Sequence, residues 1–159
     1  MAVLAALLVA LPAAYLLSSV VGGDWRPAAS TRALQDAGVI YLPSLRVFLV
    51  HTDDGPLALS ALSPHLRHRV LYCPFADAFQ EAHGAVFDRR GFYLDGPADR
   101  GLDRVAVRAR AGLVEIDPSD VQPGPPRTGA AEDVSGSLCL VPGPEEPPGF
   151  AVARVALPG

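Results

Sequence analysis

Lysine and asparagine are absent from this chain of 159 residues, and it contains only two cysteines, Cys73 and Cys139. Without asparagine there is no acceptor for N-linked glycans. Two cysteines exclude a disulfide-dense mini-domain and any four-cysteine zinc or iron–sulfur site. The formal net charge is −4. Because an acidic chain with scattered arginines is not typical of nucleic-acid binders, we expect no nucleic-acid partner.

Charge is also missing from the first 23 residues, MAVLAALLVALPAAYLLSSVVGG. The run from Ala2 to Val21 has the length that crosses a bilayer core as a helix. A cleaved signal peptide is the alternative, but such a peptide begins with basic residues, and none precedes this run. We therefore predict a retained transmembrane anchor over residues 1–23, with the membrane as a partner.

The remainder of the chain has the pattern of short β-strands. A juxtamembrane linker is expected over residues 24–38, and a β-hairpin over residues 46–62, around the turn signal at residues 53–56. Further short strands are predicted at 39–42, 69–72, 85–87, 92–94, 104–108 and 113–116. No helix of ordinary length is indicated after the anchor. The pattern predicts a small all-β sandwich or barrel over residues 39–117.

Composition changes after residue 117. Proline, glycine, serine and acidic residues dominate residues 118–149, and such a composition buries little surface. Residues 150–157 regain an alternating pattern that suits an edge strand or a contact with a partner. We predict a tail over residues 118–159, in which Cys139 is interpreted as an incidental small apolar residue.

Three of the four histidines lie in the block between Ser63 and Arg104. His65 and His68 are separated by two residues, and His83 precedes a glycine. A histidine at a tight turn is more often a hydrogen-bonding loop residue than a metal ligand. These residues alone form no nucleophile–base set, phosphate-binding loop or pair of carboxylates with supporting context.

The arrangement of this block resembles the Rieske iron–sulfur domain, in which two short boxes supply the cluster ligands and a proline loop follows. Residues 63–68, SPHLRH, stand at the first box, and residues 82–88, AHGAVFD, stand at the second. Residues 96–104, GPADRGLDR, match the proline loop and the strand after it. The resemblance covers residues 39–117 and implies a Rieske-like β-domain. The N-terminal anchor fits the iron–sulfur subunit of quinol–cytochrome c reductases.

The chain departs from the family at the ligand positions. A Rieske cluster needs two thiolates on one iron and two imidazoles on the other. The resemblance places His65 and His83 at the imidazole positions. It places Ser63 and Gln80, or Glu81 if the loop is one residue shorter, at the thiolate positions. Because oxygen donors are hard ligands, we expect no ordinary [2Fe–2S] cluster to assemble.

Three interpretations of these vestigial positions remain open. We expect the first, a scaffold without a cofactor, for which the small subunit of assimilatory nitrite reductases is a precedent within the family. In that case the proline loop, Gly96, Pro97 and Ala98, simply rigidifies its surroundings. The second is one zinc or copper ion, and the third is a [2Fe–2S] cluster with unusual ligation. The candidate ligands of a single ion are His65, His83, His68, Glu81 and Cys73.

The resemblance also implies a place near a bacterial quinol-oxidising respiratory complex. We expect a membrane-anchored accessory component that contacts protein subunits of that complex and is not an enzyme by itself. The alternative is a redox-active Rieske-type electron-transfer protein with unusual ligation at His65 and His83. The expected location is the bacterial cytoplasmic membrane, and the resemblance favours its extracytoplasmic side. A secreted binding module would follow if the N-terminal segment were cleaved.

Overall fold

The structure is a computed structural model that describes residues 23–128 and Cys139. These residues form ten β-strands and one seven-residue helix, so the predicted all-β class is confirmed in its main feature. The elements in chain order are β1 (Arg26–Ser30), α1 (Thr31–Ala37), β2 (Val39–Leu42), β3 (Val47–Thr52), β4 (Gly55–Ser60), β5 (Val70–Cys73), β6 (Ala78–Glu81), β7 (Val86–Asp88), β8 (Tyr93–Asp95), β9 (Arg104–Arg110) and β10 (Leu113–Gln122).

Two predictions concern parts of the chain outside the described residues. The transmembrane anchor predicted over residues 1–23 lies there except for Gly23, and so does the alternating segment 150–157. Within residues 23–128 no helix has both the length and the apolar character needed to span a bilayer.

The strands form two antiparallel sheets. The larger sheet has the order β1-β10-β9-β4-β3-β2, and the smaller sheet has the order β5-β6-β7-β8. β3 and β4 are the predicted hairpin, and Gly55 has a φ of 116° at its turn, a value that favours glycine. The smaller sheet lies in the chain between β4 and β9, which pair with each other through Ala58 and Val105.

One apolar core is shared by the two sheets. Phe48 and Leu59 of the larger sheet belong to the same buried cluster as Phe79 and Phe87 of the smaller sheet. The ring centroids of Phe48 and Phe79 are 5.0 Å apart, within the range of favourable aromatic pairs. This core fixes the smaller sheet, and therefore the loops at its end, against the larger one.

Within the linker expected over residues 24–38, residues 26–30 form a strand of the larger sheet and residues 31–37 form a helix. β1 pairs with β10, and α1 begins after Ser30, whose Oγ accepts a hydrogen bond from the amide of Ala33 at 3.0 Å. Leu34 is the buried residue of α1 and packs in a second apolar cluster with Leu49. The sequence did not predict this helix, because seven residues with one buried side chain show no helical periodicity of apolar residues.

The larger sheet also continues beyond residue 117, the predicted end of the domain. β10 passes through an irregularity after Asp117 and ends at Gln122. The segment that follows stays attached, because the amide of Gly101 donates to the carbonyl of Pro125 at 2.7 Å. The start of the predicted tail is therefore part of the β-domain.

A disulfide bond joins Cys73 to Cys139, with their Cα atoms 4.9 Å apart. The interpretation of Cys139 as incidental is therefore wrong. The bond fastens Cys139 to the end of β5, and the amide of Cys139 also donates to Oε1 of Gln80 at 3.3 Å. A separation of 66 positions, with no neighbouring cysteines, gives no framework from which the pairing could be predicted.

Tyr72 on β5 provides a test of the packing of the smaller sheet. Burial, and then a hydrogen bond donated to Asp77, raise the pKa of Tyr72 to about 12. We expect the difference in tyrosinate absorbance between the wild type and Tyr72→Phe to appear near pH 12. Because the pKa of Tyr72 is higher in the folded protein than in the unfolded chain, its protonated hydroxyl stabilises the fold. This contribution to the free energy of unfolding is complete below about pH 10 and is lost as pH rises through about 12. A step near pH 10 in this difference would contradict the packing of Tyr72.

Candidate metal centre

Two loops at one end of the smaller sheet bring three histidines together. The first loop, residues 63–68, leads toward β5 and is closed by a hydrogen bond from the amide of Ser63 to the carbonyl of His68 at 2.8 Å. The second loop, residues 82–85, joins β6 to β7. The ring of His83 lies with its centroid 4.2 Å from that of His68 and 5.9 Å from that of His65.

Glu81, at the end of β6, lies between two of these histidines. Its side chain is 0% exposed, and its Oε1 is 3.2 Å from Nδ1 of His65 and 3.6 Å from Nδ1 of His83. Its Oε2 is buried and has no hydrogen-bond partner among the described residues. Because a buried charged group is costly unless it is paired, this carboxylate is the unusual feature of the site.

The alternation of β6 separates Glu81 from Gln80. Successive side chains of a strand point to opposite faces of the sheet, so only one of the two can face the histidines. Gln80 is partly exposed and accepts its hydrogen bond from Cys139, whereas Glu81 is buried beside His65. The structure therefore brings Glu81, and not Gln80, to the position between the two loops.

Ser63 and Cys73 are not available as ligands in this arrangement. Ser63 is 0% exposed, and its Oγ accepts a hydrogen bond from the amide of His65 at 3.1 Å, so the hydroxyl holds its own loop. Cys73, named above as a candidate ligand of a single ion, is excluded because it is bonded to Cys139. It also lies at the far end of the β5–β6 hairpin from Glu81.

Asp103 contacts the first loop through an ion pair. This buried carboxylate forms ion pairs with Arg100 and, at 3.6 Å, with Arg67 of the first loop. It also accepts a hydrogen bond from the amide of Gly124 at 3.1 Å. The backbone of Arg67 and its neighbour Leu66 has positive φ values of 60° and 56°. The ion pair with Asp103 links this strained segment to the buried side of the domain.

The proline loop rests on the second loop. The hydroxyl of Tyr93 donates to the carbonyl of Gly96 at 2.8 Å, and the backbone of Gly96 lies directly against that of Gly84. Pro97 is exposed, and Ala98 is buried in the shared core. The loop therefore supports the segment that carries His83, and the ring of Pro97 faces solvent.

A surface cavity of about 440 Å³ adjoins the first loop. His68 lines it together with three arginines, Arg46, Arg67 and Arg69, and the guanidinium of Arg69 lies 5.0 Å from the ring centroid of Tyr41. None of the described residues that line this cavity is acidic. The surface beside the histidines is therefore basic, although the chain as a whole is acidic.

The donor set can be compared with the [2Fe–2S] cluster that the sequence resemblance implies. A Rieske cluster takes two cysteine thiolates and two histidines. The groups that meet here are two imidazoles and one carboxylate. Both cysteines of the chain are in the disulfide, so neither supplies a thiolate. The residues present therefore do not fit a Rieske cluster.

Among the comparisons with known proteins, the comparison with solved structures finds a similarity. No family model matches the chain, and no curated protein matches it. Among solved structures, the chain is similar to the cyanobacterial plasma membrane Rieske protein PetC3 from Synechocystis PCC 6803. The identity is 22%, the TM-score is 0.49, and the match covers 57% of this chain and 97% of that chain. A Rieske protein, the class that the sequence motifs resemble, is thus among the similar solved structures.

Proposed function

We propose that this chain is a membrane-anchored Rieske-like protein without a [2Fe–2S] cluster, and that it acts as an accessory component of a quinol-oxidising respiratory complex. The observation that carries the proposal is the donor set. Glu81 lies where a thiolate would be needed, between His65 and His83, and Ser63 bonds to its own loop. In a Rieske cluster two thiolates ligate one of the two irons, and this chain offers no soft donor for that iron.

The restraint of the loops supports a role as a scaffold. Asp103 pairs with Arg67 of the first loop, and the contact between Gly96 and Gly84 supports the second. These contacts would hold the two loops at this end of the β-domain in the proposed cluster-free form.

The disulfide supports the location on the extracytoplasmic side of the bacterial cytoplasmic membrane. Disulfides persist in oxidising compartments and are rare in the cytosol. The bond between Cys73 and Cys139 is therefore consistent with a domain held outside the cytoplasm by the apolar segment over residues 1–23. In this arrangement the chain is anchored to the membrane and recruited to its partner subunits.

The first loop offers a contact surface for such a partner. Leu66 is 70% exposed on this loop and has a positive φ of 56°. The basic cavity lined by Arg46 and Arg69 lies beside it. An apolar side chain next to a set of arginines is suited to an acidic protein surface with an apolar centre.

Metal and sulfide analysis of the anaerobically purified full chain, in detergent, tests the absence of a cluster. We expect no labile sulfide, no stoichiometric pair of irons and no electron paramagnetic resonance signal after reduction, because the thiolates are missing. A Rieske protein with intact ligands, purified in parallel, is the positive control. Two irons with two sulfides per chain would instead establish the redox-active alternative.

Purification of the tagged full chain from its native membranes tests the accessory role. We expect haem-containing subunits of the respiratory complex to co-purify, which the visible absorption of cytochromes would report. The Leu66→Asp variant places a charge at the proposed contact, and we expect it to lose these subunits while it remains folded. Recovery of the wild-type chain without any cytochrome would contradict the accessory role.

A further inference from the structure

We infer that His65, Glu81 and His83 bind a single Zn²⁺ ion and leave its fourth coordination position to water. The inference rests on the proposed absence of a [2Fe–2S] cluster, because a cluster would require the same two histidines. It goes beyond that proposal, since it gives the three side chains a ligand of their own. Three independent features carry it: the spacing of the donor atoms, the unpaired carboxylate oxygen and the chemistry of the donors.

The spacing of the donor atoms suits a tetrahedral ion. With zinc–ligand bonds of about 2.0–2.1 Å, neighbouring ligand atoms of a tetrahedron lie about 3.3 Å apart. Oε1 of Glu81 is 3.2 Å from Nδ1 of His65 and 3.6 Å from Nδ1 of His83. One donor atom from each of the three residues lies within 4.8 Å of the others. The side chain of His83 is 48% exposed, so its ring has room to move closer to the other two donor atoms.

The charge of Glu81 supplies the second feature. A buried carboxylate needs a cation or several hydrogen bonds, and Oε2 has neither among the described residues. Arg67, the arginine of the first loop, pairs with Asp103 and not with Glu81. The two imidazoles reach only Oε1. A divalent ion would balance the carboxylate and leave both imidazoles neutral, which is the form in which histidine binds metal.

The types of donor select the metal. Two imidazole nitrogens and one carboxylate oxygen form a common three-ligand set for zinc, with water at the fourth position. The same set serves iron(II) in octahedral sites, where adjacent ligand atoms lie closer together, at about 3.0 Å. Three protein groups and one water complete the four-coordinate shell of zinc, whereas octahedral iron(II) needs three further ligands. The absence of an available thiolate disfavours copper(I), which prefers soft sulfur ligands.

Zinc binding by the full chain in detergent, stripped of metal with a chelator, tests the inference. We expect one Zn²⁺ per chain in competition with a chromophoric chelator, and the intense visible absorption of tetrahedral Co²⁺ when cobalt replaces zinc. Loss of an outer-shell partner already weakens metal binding 10- to 100-fold. We therefore expect His83→Gln and Glu81→Gln, which remove ligands, to weaken binding by more than about 100-fold.

Two further histidine variants give matched controls. His51→Gln alters a histidine on β3, outside the cluster, and we expect unchanged zinc affinity. His68→Gln also should retain tight binding, because His68 contacts the ring of His83 but is not one of the three ligands. A loss in His68→Gln as large as in His83→Gln would contradict the fourth position held by water.

Thermal unfolding separates loss of the site from loss of the fold. We expect zinc to raise the Tm of the wild type and not that of His83→Gln, while the two metal-free proteins unfold alike because His83 lies on an exposed loop. No zinc binding, with iron and sulfide also absent, would overturn the zinc site and leave the proposed function standing. One iron per chain without sulfide would overturn the assignment to zinc. Two irons with two sulfides would overturn both proposals.

Discussion

The double variant Cys73→Ser/Cys139→Ser should lower the free energy of unfolding by about 2–4 kcal/mol. The bond joins residues separated by 66 positions and therefore removes considerable freedom from the unfolded chain. Chain entropy alone gives about 4 kcal/mol for a loop of this length, and strain or residual structure reduces the value. Urea unfolding of the full chain in detergent, followed by tryptophan fluorescence, measures the change.

Reductant provides the control for this first expectation. Treating the wild type with dithiothreitol should reproduce the loss, and the double variant should not respond to it. Because Cys73 and Glu81 lie at opposite ends of the β5–β6 hairpin, the zinc affinity of the variant should stay near that of the wild type. Equal unfolding midpoints for the wild type and the double variant would show that the disulfide adds no stability.

Gly96→Ala is the second variant with a large expected effect, also about 2–4 kcal/mol, from strain and overpacking combined. Gly96 has a φ of 91°, which disfavours any side chain. A Cβ there would meet the carbonyl oxygen of Gly84 at 2.3 Å and Cα of Ala85 at 2.6 Å. Both are backbone atoms and cannot rotate away. The second loop would have to shift, and His83 with it.

Gly112→Ala is the matched control for Gly96→Ala. Gly112 also has a positive φ, of 78°, but a Cβ at this position meets nothing within 4 Å. We expect only the conformational cost there, about 1 kcal/mol, and unchanged zinc binding. The difference between the two variants in thermal unfolding isolates the contact between the loops. Equal losses would mean that the proline loop does not support the second loop.

Most strands of the fold could be predicted because they carry their own signals. The hairpin of β3 and β4 combines β-branched and aromatic residues with a turn at Gly55. β6 could not be predicted in this way. Its sequence, AFQE, contains no β-branched residue, and it forms a strand because Phe79 is buried in the core shared by the two sheets. That burial depends on residues distant in the sequence.

The candidate site was predictable in its histidines and not in its carboxylate. The boxes of the resemblance identify His65 and His83. A one-residue uncertainty in the loop left Gln80 and Glu81 as alternatives, and in a strand this shift exchanges the two faces. Only the pairing of β6 with β5, which sets Glu81 opposite Val70, decides between them.

The residues that carry the site form one continuous insertion between β4 and β9, which are neighbouring strands of the larger sheet. Because Ala58 lies opposite Val105, the chain leaves the larger sheet and re-enters it at adjacent points, about 5 Å apart. Both histidine loops, the proline loop and the whole smaller sheet lie between these points. We therefore expect that the ligand residues of this insertion can be substituted without altering the strand pairing of the larger sheet.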